Sequence, residues 1–174
     1  MNIESLREKL HNAVQTVEKV VGKNLSLPVL GSILLVAKEN VLRLRATNLN
    51  VGVEVEIPVK VNSEGVVAVD GGILSTSLSH LKNDKKISLV SHEGNIQLET
   101  EHASTLVKCY DASEFPEIPR IKDGKNFEIR QSDLIHGLKS VAYAASLSEI
   151  KPEIASVYMY PSDDHLVFVA TDSF

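Results

Sequence analysis

One cysteine, Cys109, stands in 174 residues, which excludes an internal disulfide framework and suits a reducing compartment. No apolar run approaches the roughly 20 residues that span a bilayer. The opening Met1-Asn2-Ile3-Glu4 lacks the basic stretch and apolar core of a signal peptide. A cytoplasmic protein without a membrane partner is expected. Positive charge is also in short supply. The net charge of -5 argues against a surface coated in basic residues, while leaving room for local basic faces.

The signatures of chemistry are missing too. Six histidines are present, His11, His80, His92, His102, His136 and His165, and none falls in an HExxH or paired-ligand spacing. Cys109 ends an apolar strand and reads as a small buried hydrophobe. Asp70-Gly71-Gly72 lacks the Gly-Lys-Ser/Thr that completes a phosphate loop, so it reads as a strand-to-helix turn. Asp163-Asp164 reads as a hairpin turn. No nucleophile elbow, Walker or dinucleotide fingerprint occurs. No catalytic residue, metal ligand or cofactor is assigned.

What the chain does contain is itself, repeated at an offset of 124 residues. Ser32-Ile33-Leu34-Leu35-Val36 aligns with Ser156-Val157-Tyr158-Met159-Tyr160, and Leu42 to Asn48 with Leu166 to Asp172. Leu10, Val14 and Val17 fall on Leu134, Leu138 and Val141. So long a period is a duplicated domain rather than a solenoid unit. The second copy stops partway, at the counterpart of residue 50. The division expected is a complete first domain over 1–121, a linker over 122–126, and the first part of a second domain over 127–174. A weaker repeat at an offset of 54 aligns Ile33-Leu34-Leu35-Val36 with Ile87-Ser88-Leu89-Val90, and makes each half-domain a strand, a helix and an antiparallel meander.

Three helices are predicted. In the first, Ser5 and Glu8 stand in capping-box register, Leu6, Leu10, Ala13, Val14, Val17, Val20 and Val21 form the apolar stripe, and Gly22 is the stop. In the second, Asp70 caps a stripe of Leu74, Leu78 and Leu81. The third starts near Ser132 or Asp133, with Leu134, Leu138 and Val141 inward. Between them, Val41 to Arg45, Val51 to Ile57, Asn95 to Glu99 and Thr105 to Lys108 alternate as half-buried strands. The fold class is α+β, with antiparallel sheets and two helices on one side of the sheets in each domain.

The outward faces of these helices are polar or mildly basic: Asn12, Gln15 and Lys19, then Thr76, Ser79 and His80, then His136 and Lys139, with Lys23 and Lys82 near helix ends. A solvated face explains any one helix. Repetition sets equivalent helices on equivalent sides of an assembly, so together they could line a surface that tracks a phosphate backbone without reading bases. A protein-interaction module with scaffold repeats is the competing reading.

Ser26-Leu27-Pro28-Val29-Leu30-Gly31, Ala46-Thr47-Asn48-Leu49, Asp111-Ala112-Ser113-Glu114-Phe115-Pro116 and Val169-Ala170-Thr171-Asp172-Ser173-Phe174 together resemble the bacterial DNA polymerase III β subunit family, the sliding clamps. The resemblance implies the DNA-clamp fold and a non-catalytic processivity factor. Its members form head-to-tail homodimeric rings around duplex DNA, are opened by a clamp loader, and tether the polymerase catalytic subunit and other proteins carrying clamp-binding motifs. It further implies DNA-proximal loops at Lys23 and Asn24 and at about Ser148 to Lys151, where Pro152 and Glu153 replace the aromatic residues of some members. A partner-peptide cleft would draw on Ile154, Thr171, Ser173 and Phe174. For Ile154 and Thr171, sheet core is the equally weighted alternative. The strand near Ser104 to Lys108 is expected to leave an edge unpaired.

Overall fold

The computed structural model describes residues 1–22, 27–81, 84–119, 128–148 and 151–173. Two compact units divide the chain, Met1–Arg120 and Ile121–Phe174. In the first, β1 (Asn2–Leu6) runs directly into α1 (Arg7–Glu18). A 3₁₀ turn at Pro28–Gly31 leads to β2 (Ser32–Lys38), β3 (Val41–Thr47), β4 (Gly52–Pro58), β5 (Lys60–Ser63) and β6 (Gly65–Asp70). Then follow α2 (Gly71–His80), β7 (Lys86–His92), β8 (Asn95–Glu99) and β9 (Ser104–Tyr110).

All strand pairs of this unit are antiparallel, in the order β4-β3-β2-β6-β9-β8-β7-β1-β5. The two sequence halves are not two spatial halves. The opening strand of the first half, β1, pairs with β7 of the second, and β6 pairs with β2 of the first. Each half thus lends its first strand to the other, and the β2–β3 and β7–β8 hairpins keep the same register at the 54-residue offset: Lys38 faces Val41 as His92 faces Asn95. β9 joins the halves. Ser104–Lys108 pairs with β8, and only Cys109 and Tyr110 reach β6. The expected free edge is therefore one flank of an interior strand, where Leu106 is 63% exposed.

Alternation places Ile33, Leu35, Leu42, Leu44, Leu89, Ile96 and Leu98 on one side of the sheet, under Leu10, Ala13, Val14 and Val17 of α1 and Leu74 and Leu78 of α2. Fully burying each of the larger side chains contributes about 1.5–3 kcal/mol. Asp70 caps α2 as expected, its Oδ1 accepting from the Ile73 amide at 2.8 Å. The α1 cap differs. Ser5 belongs to β1, and Leu6 at the cap position supplies no side-chain bond. The Arg7 amide instead donates to the Lys85 carbonyl at 3.0 Å, so tertiary structure does the capping. Gly22 does not stop the helix, which ends at Glu18. Its amide donates to Leu30 O at 2.9 Å, and an added Cβ would come within 3.1 Å of the Leu30 Cβ.

The described helix and hairpin of the second unit follow the first at the 124-residue offset. α3 (Gln131–Val141) begins 124 residues after α1, slightly ahead of the predicted start. β10 (Tyr158–Ser162) and β11 (His165–Val169) pair as β2 and β3 do: Met159 faces Phe168 as Leu35 faces Leu44. The Ser146 amide donates to Ile154 O at 2.9 Å, as Gly22 does to Leu30. Thr171 Oγ1 accepts from the Ser173 amide as Thr47 Oγ1 does from Leu49, and Leu49 and Ser173 share φ 74°.

One exchange shows how packing is conserved through altered residues. The buried pair Ala13 and Leu44 of the first unit becomes Gly137 and Phe168 in the second, where an added Cβ on Gly137 would lie 2.5 Å from the Phe168 ring. Gly137→Ala alone should destabilise the second unit, because overpacking costs about 1–3 kcal/mol and outweighs the gain of about 1 kcal/mol in helix propensity. Adding Phe168→Leu should restore most of the loss. Native-state hydrogen exchange of the α3 amides reads this, and equal protection in the single variant and the parent would contradict it.

Candidate nucleic-acid interface

α1 and α2 lie side by side and send their apolar stripes into one core, which leaves their opposite faces to solvent. Asn12 and Gln15 on α1 and Lys19 just past its end are exposed, as are Thr76 and His80 on α2. Ser79 is half-buried and turns its hydroxyl onto Thr76 O at 2.7 Å. Gly71 to His80 contains no Asp, Glu, Lys or Arg, so the α2 face offers hydroxyls and amide dipoles rather than fixed charge. α1 mixes Arg7 and Lys9 with Glu8 and Glu18, and Lys19 follows its last turn.

The acidic residues concentrate elsewhere. Glu39, Glu54, Glu56, Glu64, Glu93, Glu99 and Glu101 are exposed on strands and turns. Arg43 pairs with Glu56 at 2.5 Å and Arg45 with Glu54 on the sheet face opposite the helices, where the carboxylate raises the pKa of the Arg43 guanidinium further. An excess of carboxylates on the sheet and its turns, against helices whose charges balance, makes the helix side the less repulsive one for a polyanion.

In the second unit His136 and Lys139 are exposed at the repeat positions of Asn12 and Gln15. Ser140 donates to His136 O at 2.8 Å as Thr16 does to Asn12 O. His136 also borders a cavity with Asp133, Asp164, His165 and Phe168, so it leans toward the hairpin rather than wholly away from it. Ser148 and Lys151 are exposed. Lys23, Asn24, Lys82 and Phe174, and the expected linker 122–126, lie outside the described residues.

Ile154 and Thr171 are not in a sheet core. Ile154 sits half-buried in the turn before β10, its amide donating to Lys151 O at 3.1 Å. Thr171 and Ser173 are exposed just after β11. Neither position lies on a strand: Ile154 precedes β10 and Thr171 follows β11.

Sequence reading passed over a cluster of Asp84, Glu101 and His102, whose ligand atoms lie within 4.8 Å of one another. Asp84 is distant in sequence from the adjacent Glu101 and His102, and the β8–β9 turn brings it to them. Lys85 and Lys86 line the same cavity and supply positive charge where a cation would sit. The geometry is an ion pair: His102 Nδ1 lies 2.7 Å from Asp84 Oδ1. The hydrogen bond to His102 lowers the Asp84 pKa, and the same bond raises that of His102. His102 contributes below its unfolded pKa near ~6.5, and that contribution is lost as pH rises through the raised folded value. Asp84 contributes above its unfolded value near ~3.9, and that is lost as pH falls through the lowered one. The pair is therefore strongest between these two limits. An NMR titration should give His102 a midpoint above the ordinary histidine value, returning to it in Asp84→Asn; an unchanged midpoint in that variant would contradict the assignment.

Residues 1–119 match the family described as DNA polymerase III beta subunit, N-terminal domain. The chain is 26% identical over 174 residues to the beta sliding clamp of Synechococcus elongatus, covering 99% of this chain and 46% of that protein. It is 23% identical to the beta sliding clamp of Bacillus subtilis, covering 96% of this chain and 46% of that one. A crystal structure of the DNA polymerase III subunit beta from Pseudomonas aeruginosa matches at a TM-score of 0.93 and 25% identity, covering 99% of this chain and 47% of that one. A second structure from that organism, bound to griselimycin, matches at 0.91 and 25%, with the same coverage. The architecture is thus the clamp fold, and the chain spans about half the length of the relatives it matches.

Proposed function

Because the chain belongs to the DNA polymerase III beta subunit family, we propose that the protein is a sliding clamp, a non-catalytic processivity factor of the bacterial cytoplasm that encircles duplex DNA and tethers the replicative polymerase. The observation that carries this reading is the segregation of charge. On the paired helices acidic and basic side chains balance, Glu8 and Glu18 against Arg7 and Lys9, while exposed carboxylates are in excess on the sheet and its turns. A protein that must move along DNA is better served by few, weak, water-mediated phosphate contacts than by tight ones.

In this reading residues 1–121 form the first clamp domain and 127–174 the first part of the second, joined through 122–126. Asn12, Gln15, Lys19, Lys23, Asn24, Thr76, Ser79, His80, Lys82, His136, Lys139, Ser148 and Lys151 face the duplex. Ile154, Thr171, Ser173 and Phe174 supply one side of a cleft for short peptides of the polymerase, the clamp loader and other partners. A Pseudomonas aeruginosa relative bound to griselimycin supports a ligand-binding cleft in this family. The ring is a homodimer of the full-length form.

Lys19→Glu combined with Lys139→Glu should weaken binding to duplex DNA several-fold at low salt. It should also flatten the salt dependence by roughly two contacts, each worth a slope of about 0.9. Fluorescence anisotropy across a salt series checks both effects. Unchanged affinity and slope would remove these helix faces from the DNA path.

A further inference from the structure

Leu6 stands where a helix start calls for Ser, Thr, Asp or Asn, whose side chains satisfy first-turn amides. It is 49% exposed and makes no capping bond. The Arg7 amide is served instead by the Lys85 carbonyl at 3.0 Å, so helix stability does not account for a leucine here. The second unit offers a comparison within the same chain. Leu6 and Lys9 correspond to Arg130 and Asp133 at the 124-residue offset. Those two close on each other, Arg130 Nε donating to Asp133 Oδ2 at 2.9 Å. Where the second unit holds a self-contained ion pair, the first presents an exposed apolar side chain and a lysine.

Leu6 and Lys9 border a cavity of 420 Å³ floored by Pro58 and Val59, within the size range of ligand pockets. Strand register builds its walls. Leu6 faces Lys86 across β1 and β7, and Glu4 faces Lys60 across β1 and β5. Lys9 follows Leu6 by three residues, on the same side of the first helical turn. Glu4 is the one carboxylate among the described lining residues, and it is already engaged. Lys60 Nζ donates to its Oε1 at 2.8 Å and Asn62 Nδ2 at 3.0 Å, which holds the Glu4 carboxyl below its usual pKa. Lys9 and Lys86 make no ion pair among the described residues. Lys86 also borders a cavity with Glu99 and Glu101, so Lys9 is the cation more open to an incoming carboxylate. In a chain of net charge -5, this pocket combines an apolar floor with two uncommitted ammonium groups.

We propose that the pocket is a docking site for a short acidic segment of a partner protein, in which one aliphatic side chain stands between two carboxylates. The aliphatic group packs on Leu6 and Val59, and the carboxylates reach Lys9 and Lys86 on either side of it. An apolar floor alone would take any hydrophobe, and lysines alone any anion; the two together select a segment carrying both. The partner does not add a strand. β1 is paired on both flanks, and the Val61 amide of β5 already donates to Asn40 Oδ1 at 3.2 Å. Side chains therefore hold the segment, and exposed ammonium groups make that hold weak and salt-sensitive. This inference stands apart from DNA binding, and its failure leaves that reading untouched.

The test is an NMR titration of the isotope-labelled full chain with the peptide acetyl-Glu-Leu-Glu-amide. Saturable shifts centred on the Leu6, Lys9, Val59 and Lys60 amides are expected, with a Kd on the order of 1 mM. Leu6→Ser removes the apolar floor while supplying a preferred cap residue, so the fold survives and Kd should rise several-fold. Lys9→Gln combined with Lys86→Gln should weaken binding likewise, as should replacing both glutamates of the peptide with glutamine. Absence of saturable shifts overturns the proposal, as does undiminished binding by Leu6→Ser or equal binding of the neutral peptide. Equal shifts of the same amides with inorganic phosphate alone would also overturn it, by reducing the pocket to a general anion site.

Discussion

Everything in this chain hangs on the register of one antiparallel hairpin, used three times. Glu39 and Asn40 both take left-handed backbone, at φ 52° and 61°, and close β2 against β3 with no residue to spare. Gly94 at φ 71° and Asp163 at φ 50° sit in the corresponding turns of β7–β8 and β10–β11. Side chains alternate with a period of two, so a slip of one residue would carry every leucine and isoleucine to the wrong face. With register fixed by the turn, one face of each hairpin is committed to the helices, and only the other is free to vary. The exchanges of Ala13 and Leu44 for Gly137 and Phe168, and of Arg43 and Arg45 for Val167 and Val169, fall on the two sides of that division.

The same constraint arranges charge. Once α1 and α2 cover the committed face side by side, their outward residues share one surface, and the carboxylates of the strands are left for the other. The charge segregation therefore follows from topology, and it needs no strongly basic composition. A chain of net charge -5 can still offer a polyanion a surface that does not repel it. The exchange of first strands between the halves adds rigidity, because neither hairpin can leave the sheet without breaking a pairing made by the other half.

Much of this was legible in the sequence. The 124-residue repeat is visible by aligning the chain with itself, and the apolar stripes, the Asp70 cap and the clean alternation of β3 and β8 are local signals that survive folding. The features that escaped are those defined by distant residues. The Lys85 carbonyl caps α1, so Ser5 and Glu8 gave a false start signal. β5, Lys-Val-Asn-Ser, is short and polar, and becomes a strand only because β1 pairs with it. The Asp84–His102 pair needs the β8–β9 turn to meet the residues after α2. Ile154 lies in a turn before β10, and its carbonyl accepts from the distant Ser146 amide, a pairing that no local pattern announces. For the site, the helix faces could be named but not ranked, since exposure is all that distinguishes one polar residue from the next.

In the sliding clamp proposed above, weak helix-face contacts suffice because ring closure, rather than binding free energy, would keep DNA in place. The most direct test loads the full-length protein onto a closed circular plasmid with an ATP-driven clamp loader and passes the complex through a gel-filtration column, before and after cutting the plasmid once. Retention on the circle and loss from the linear form is the predicted result. Equal retention on both, or loss from both, would contradict the account.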